Sequence, residues 1–149
     1  MLWNERIAAC AMDALKNPAK YGVRLEAGYC LNFTRIVIEK ALGFAPRGFY
    51  TFVQGEDSNP TARELEVLFR KQFPRWVIPL SKARVGDMVF WKNLPPEFGH
   101  VGVIVKHGVG LWVAANTTQT TGGIRYKGAL RVIELIKMPL PSSVIRVRP

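Results

Sequence analysis

The sequence predicts an α+β domain in which N-terminal helices pack on a C-terminal antiparallel sheet of about five strands. Three observations predict it. Apolar residues recur at helical spacing in three segments before residue 76. Beyond that point the period changes to short runs rich in β-branched and aromatic residues, separated by turn residues. No repeat, low-complexity tract or linker interrupts the chain, so residues 1–149 read as one domain, long enough to bury a single core.

The first helix is expected over about Asn4 to Lys16 and is stopped by Asn17-Pro18, because the residue before proline is driven out of the helical region. A loop containing "YGVRLEAG" follows. The second helix runs from Cys30 to Leu42, with Phe33, Ile36, Val37 and Leu42 on its apolar face and Gly43 as its stop. The stretch "FAPRGFYTFVQGEDSN" reads as an irregular connection. A third helix begins in "SNPTARELEVLFRKQF", where Asn59 can cap it, Pro60 suits its first position, and Leu65, Leu68 and Phe69 form its stripe. The strands are "DMVFW", "HVGVIV", "GLWVAAN", "LRVIELI" and "VIRVR", with "KHGVG" as the hairpin turn between the second and third.

Composition narrows the function classes. Hydrophobic residues make up 48% and charged residues 21%, which excludes a disordered chain. No apolar run approaches the ~18 residues that a membrane span needs. The opening "MLWNERIAACAMDALKN" carries Glu5 and Asp13 and reads as an amphipathic helix, not a signal peptide. The expected setting is therefore phage-encoded, in the virion or the host cytoplasm before lysis, or a protein delivered to the bacterial wall. Twenty-one Lys and Arg against 11 Asp and Glu leave +10, which favours anionic partners. Nucleic acid, acidic lipid and acidic wall polymer all qualify. The aromatics lie in apolar strands and helices instead of alternating with Lys and Arg, so a nucleic-acid partner is not expected. Arg125, Lys127, Arg131, Arg146 and Arg148 read most simply as a solvated face, with an anionic polymer as the sharper alternative.

Signatures of other chemistries are missing: there is no "GxxxxGK", "GxGxxG", "HExxH" or "GxSxG". Glu64 and Glu66 fall on different faces of one helix, which does not suit paired-carboxylate sugar hydrolysis. Two cysteines, Cys10 and Cys30, make neither a disulfide scaffold nor a four-ligand zinc site. No metal or cofactor is expected. Cys10 reads as a small buried residue in the first helix.

Cys30 differs because it stands where a helix begins, in "AGYCLNFTRIVIEKALG". A thiolate is stabilised by the positive end of a helix dipole and by an imidazole that takes its proton. Gly28 allows a tight backbone there, and the Cys30 N–H can hold an oxyanion. His100 opens a strand directly after the turn-rich "PPEFG" and is the candidate base. The strand "LWVAANTT" returns antiparallel and brings Asn116 back to the level of His100, where its side-chain oxygen can orient the ring. Thr117 and Thr118 are alternatives, because a one-residue slip exchanges the faces. Asp87 reads as the residue that fixes the turn entering "MVFW", His107 as a solvated turn residue, and Trp91 and Trp112 as core or groove wall.

In this order of elements, with "GYC" at 28–30, "VGDMVFW" at 85–91 and "GHVGVIV" at 99–105, the chain resembles the papain-like cell-wall hydrolases of the NlpC and CHAP type. CHAP denotes cysteine, histidine-dependent amidohydrolase/peptidase. The likeness spans roughly Tyr21 to Val147. It implies a papain-like fold, Cys30 as nucleophile, His100 as base, a third polar residue on the next strand, and hydrolysis of amide bonds in peptidoglycan, for which no cofactor is needed. A monomer is expected. The likeness also draws attention to Tyr29 and Tyr21 as residues that shape the site ahead of the cysteine. Ala115, where an acid would look natural, departs from the pattern and motivates the alternative of an idle domain that binds wall polymer or serves as a virion part. A basic nucleic-acid-binding module is the remaining alternative.

Overall fold

The computed structural model describes residues 2–23, 30–46, 48–49, 61–92, 99–121 and 124–148, without the side chains of 118–121 and 124–129. It is α+β, with helices preceding an antiparallel sheet. Helix α1 (Trp3–Lys16) turns Ile7, Ala8, Ala11 and Ala14 inward, and Glu5 accepts the Leu2 N–H at its start. Asn17 ends it, and Pro18 begins a further short helix, α2 (Pro18–Tyr21), that the sequence pattern does not announce. Helix α3 (Cys30–Leu42) starts and stops as expected, but its buried face is Leu31, Phe33, Val37, Ile38 and Ala41, while Ile36 and Leu42 are half-buried.

Helix α4 (Ala62–Gln72) is capped by Thr61, whose Oγ1 accepts the Glu64 N–H at 3.3 Å. The helix therefore begins after the expected cap, and Asn59 and Pro60 lie outside the described residues. Leu65 and Phe69 are buried and Leu68 is half-buried. Phe69 anchors an aromatic cluster, with ring centroids 5.4 Å from Trp76, 5.9 Å from Phe49 and 6.5 Å from Phe90.

Among the described residues six strands, one more than expected, form one sheet: β1 (Val77–Ile78), β2 (Met88–Trp91), β3 (His100–Val105), β4 (Trp112–Thr121), β5 (Ile124–Glu134) and β6 (Ser143–Ile145). Their order is β1-β6-β2-β3-β4-β5, and every pair is antiparallel. The C-terminal strand thus returns to lie between β1 and β2. Alternation along the strands divides the sheet into two apolar faces. Met88, Phe90, Val101, Val103, Val105 and Ala114 meet the helices. Val89, Trp91, Ile104, Val113 and Ala115 form a second, smaller core with Leu135 on the other side. Strands β2 and β3 are buried throughout, which is why they read as unbroken apolar runs.

Two glycines set close approaches. Gly86 has φ +90°, and a Cβ there would stand 2.2 Å from the Asn4 carbonyl oxygen, so the turn before β2 packs directly on α1. A Cβ on Gly102 would stand 2.5 Å from Val113 Cγ1, so β3 and β4 close the second core only without a side chain there.

Asp87 fixes its turn as expected, accepting the Arg84 N–H at 3.0 Å. It also pairs with Arg146, at 2.8 Å (Nε to Oδ1) and 2.9 Å (Nη2 to Oδ2). Arg146 is buried, so its assignment to a solvated face is corrected; the Met88↔Ile145 register puts it directly across from Asp87. Arg131 and Arg148 are exposed as expected. Arg125 and Lys127 have side chains outside the described residues.

Candidate active site

Cys30 is the first residue of α3 and belongs to the core between the helices and the sheet. What it meets there follows from the pairing of β3 with β4. Gly86 N–H donates to the Ile104 carbonyl and Ile104 N–H to the Asp87 carbonyl, so even-numbered residues of β3 bond toward the β2 side. Odd-numbered residues bond toward β4. Paired register with β4 runs from Val105↔Trp112 only to Val103↔Ala114. Beyond it the Cys30 sulfur stands beside the backbone of Val101, and beside that of Leu31 at the helix start. The helix tip is wedged where the two strands part.

The electrostatics of that position are those of a resting thiol. Burial pushes the Cys30 thiol up to about 11, although the nearby backbone of Val101 and Leu31 pulls the other way. At neutral pH it is protonated. Cys10 is half-buried, not buried as expected, and its thiol is also raised, first by burial and then by Asp13. Both cysteines are free. A thiol titration with Ellman's reagent on the native protein should therefore show one accessible sulfur, Cys10, and a second only on unfolding. Two fast thiols would mean that Cys30 is open to solvent.

His100 is 4% exposed and lies across from Trp91, with ring centroids 5.6 Å apart and planes tilted by 32°. Burial lowers its imidazole to about 4, so it is neutral at pH 7. Its Nε2 is buried and makes no hydrogen bond among the described residues. Alternation puts His100 with Trp91, Gly102 and Ile104 on the second face, whereas Cys30 stands with Val101 on the helix face. The structure thus brings the Cys30 sulfur to the residue next to His100, but among the described residues no hydrogen bond joins sulfur and imidazole.

The register Val103↔Ala114 extrapolates to Val101 opposite Asn116 and His100 opposite Thr117, one residue from the expected pairing of Asn116 with His100. Asn116 is buried, and alternation from Ala114 sets it on the helix face, with Cys30. Thr117 follows Ala115 onto the face of the His100 ring. Of the candidates for orienting the imidazole, Thr117 is therefore the one on its side of the sheet. The side chain of Thr118 lies outside the described residues, as does Tyr29.

Tyr21 donates to Asp13 Oδ2 and lines a groove with Ile36 and Lys40, against the C-terminal half of α3 and away from the Cys30 end. The hydrogen bond to Asp13 raises the Tyr21 phenol to about 12 and holds the Asp13 carboxyl at about 2. Trp91, which reads from the sequence as core or groove wall, is the neighbour of His100; only the long-range β2–β3 register pairs them. Trp91 Nε1 is fixed by the Pro139 carbonyl at 2.8 Å. The His107 ring stands edge-on to Trp112 at 5.1 Å. Among the described residues no three His, Cys, Asp or Glu side chains gather as a metal site. No described helix is long and apolar enough to cross a membrane.

No protein-family model matches the chain, and neither a curated protein nor a solved structure matches it.

Proposed function

We propose that the chain is a papain-like cysteine hydrolase that cleaves amide bonds in bacterial peptidoglycan. The observation that carries this reading is the placement of Cys30 at the tip of a 13-residue helix, in the opening between β3 and β4, with its sulfur on the backbone next to His100. Its chemistry follows the general scheme of a thiol and an imidazole. His100 takes the thiol proton, the Cys30 thiolate attacks the carbonyl carbon, and the Cys30 N–H receives the developing oxyanion. His100 then protonates the leaving amine, and water releases the acyl group. Thr117 or Asn116 orients the ring. For this to run, the backbone at His100, the first residue of β3, must turn so that the ring leaves Trp91 for the sulfur's side of the sheet. A charge of +10 favours approach to an anionic wall. The site of action proposed is the bacterial wall, reached from a virion or from the cytoplasm of a lysing host.

A second reading is favoured by the burial of both groups and by the pairing of His100 with Trp91: an idle papain-like domain that binds wall polymer or serves as a virion part. Incubating the protein with purified peptidoglycan separates the two. The hydrolase releases new free amino groups into the supernatant. The idle domain pellets with the wall and releases none, and that outcome would overturn the proposal.

A further inference from the structure

The second face of the sheet carries an apolar surface that the proposed site does not use. An open groove there is lined by Leu80, Leu111, Ile136, Met138 and Leu140. Around it, three aliphatic side chains from two segments stand almost wholly in water: Val109 is 93% exposed, Ile136 85% and Leu140 82%. Scattered exposed aliphatics are ordinary, but three at one groove are a patch that marks an interaction surface.

The charges beside the patch state what kind. Lys82 ends the turn that begins at Leu80, Lys106 leads into the turn carrying Val109, and Lys137 follows Ile136. All three are exposed. Among the described residues Glu134 is the one acid lining the groove, and Lys137 sits 3.6 Å from it. Aliphatic tips flanked by lysines match a surface whose outer layer is negative and whose interior is apolar.

We propose that this face binds the surface of an anionic lipid bilayer, with Val109, Ile136 and Leu140 entering the headgroup–acyl boundary and Lys82, Lys106 and Lys137 meeting lipid phosphates. No described helix is long and apolar enough to cross the bilayer. The chain lies on it with the second face down and α3, on the opposite side of the sheet, turned away.

The test is co-sedimentation of the full chain with vesicles containing phosphatidylglycerol and with vesicles of phosphatidylcholine alone. The protein binds the first and not the second, and rising ionic strength weakens the binding. The double variant Ile136→Asp with Leu140→Asp binds at least about tenfold more weakly while keeping the wild-type melting temperature. Val109→Asp, on a different segment, weakens binding in the same direction and guards against a local folding defect. Failure of the wild type to bind anionic vesicles overturns the proposal. Equal binding by the aspartate variants also overturns it, since the three aliphatic side chains would then have no part in the affinity. So does a dimer in sedimentation velocity that the double variant dissolves, because a second copy would then be the occupant.

Discussion

Asp87→Ala lowers the unfolding free energy by about 3–5 kcal/mol, the cost of leaving a buried charge without its partner. The Asp87 side chain is fully buried, and that of Arg146 is 11% exposed. Two hydrogen bonds of 2.8 and 2.9 Å join them in the fork geometry that suits a guanidinium and a carboxylate. The same carboxylate holds the Arg84 N–H, and the guanidinium also reaches the Lys82 carbonyl at 3.1 Å. The pair ties the turn before β2 to the C-terminal end of β6, so its loss loosens the centre of the sheet. In thermal melts the expected fall is about 10–20 °C. Replacing both partners together, Asp87→Leu with Arg146→Met, recovers much of that loss, because no charge is left stranded. A single variant that melts within about 1 kcal/mol of wild type would show that the pair does not act as described.

His100 makes the fold weaken in mild acid. Its imidazole sits at about 4 in the folded protein against 6.5 for an ordinary histidine, because burial disfavours the charged ring. The unfolded chain therefore binds a proton that the folded chain refuses. Stability from this group is complete above pH 6.5, falls as pH drops from 6.5 to 4, and changes no further below that. The total loss is about 3 kcal/mol, at up to about 1.4 kcal/mol per pH unit. Asp13, held at about 2 by Tyr21 and Lys20, is lost only in stronger acid, so the two windows do not overlap. Urea midpoints at pH 7.5 and 4.5 measure the difference, and His100→Gln should flatten most of it. A wild type whose midpoint is the same at both pH values would contradict a buried neutral ring.

The sequence was legible where local physics decides. Asn17-Pro18 stops α1, the apolar spacing from Cys30 to Leu42 makes α3, and β3 begins at His100 with a turn at "KHGVG". It was less legible where pairing decides. Two residues, Val77 and Ile78, are too few to show a strand by pattern, and β1 exists only because β6 pairs with it. Arg146 reads as a surface cation until the register sets it across from Asp87. The side of the sheet that His100 faces could not be read at all. Strands β2 and β3 are apolar on both faces, so alternation leaves no mark, and the register that fixes its parity with Trp91 is long-range. The same parity separates Asn116 from the imidazole and brings Thr117 to its side.

The central claim is that one sulfur performs the chemistry, and the direct measurement is the initial rate of amine release from purified peptidoglycan by the wild type and by Cys30→Ala, compared at equal folded protein. The account predicts that the variant is slower by at least about 10³-fold while Cys10→Ala keeps the wild-type rate. Equal release by the wild type and Cys30→Ala would contradict it.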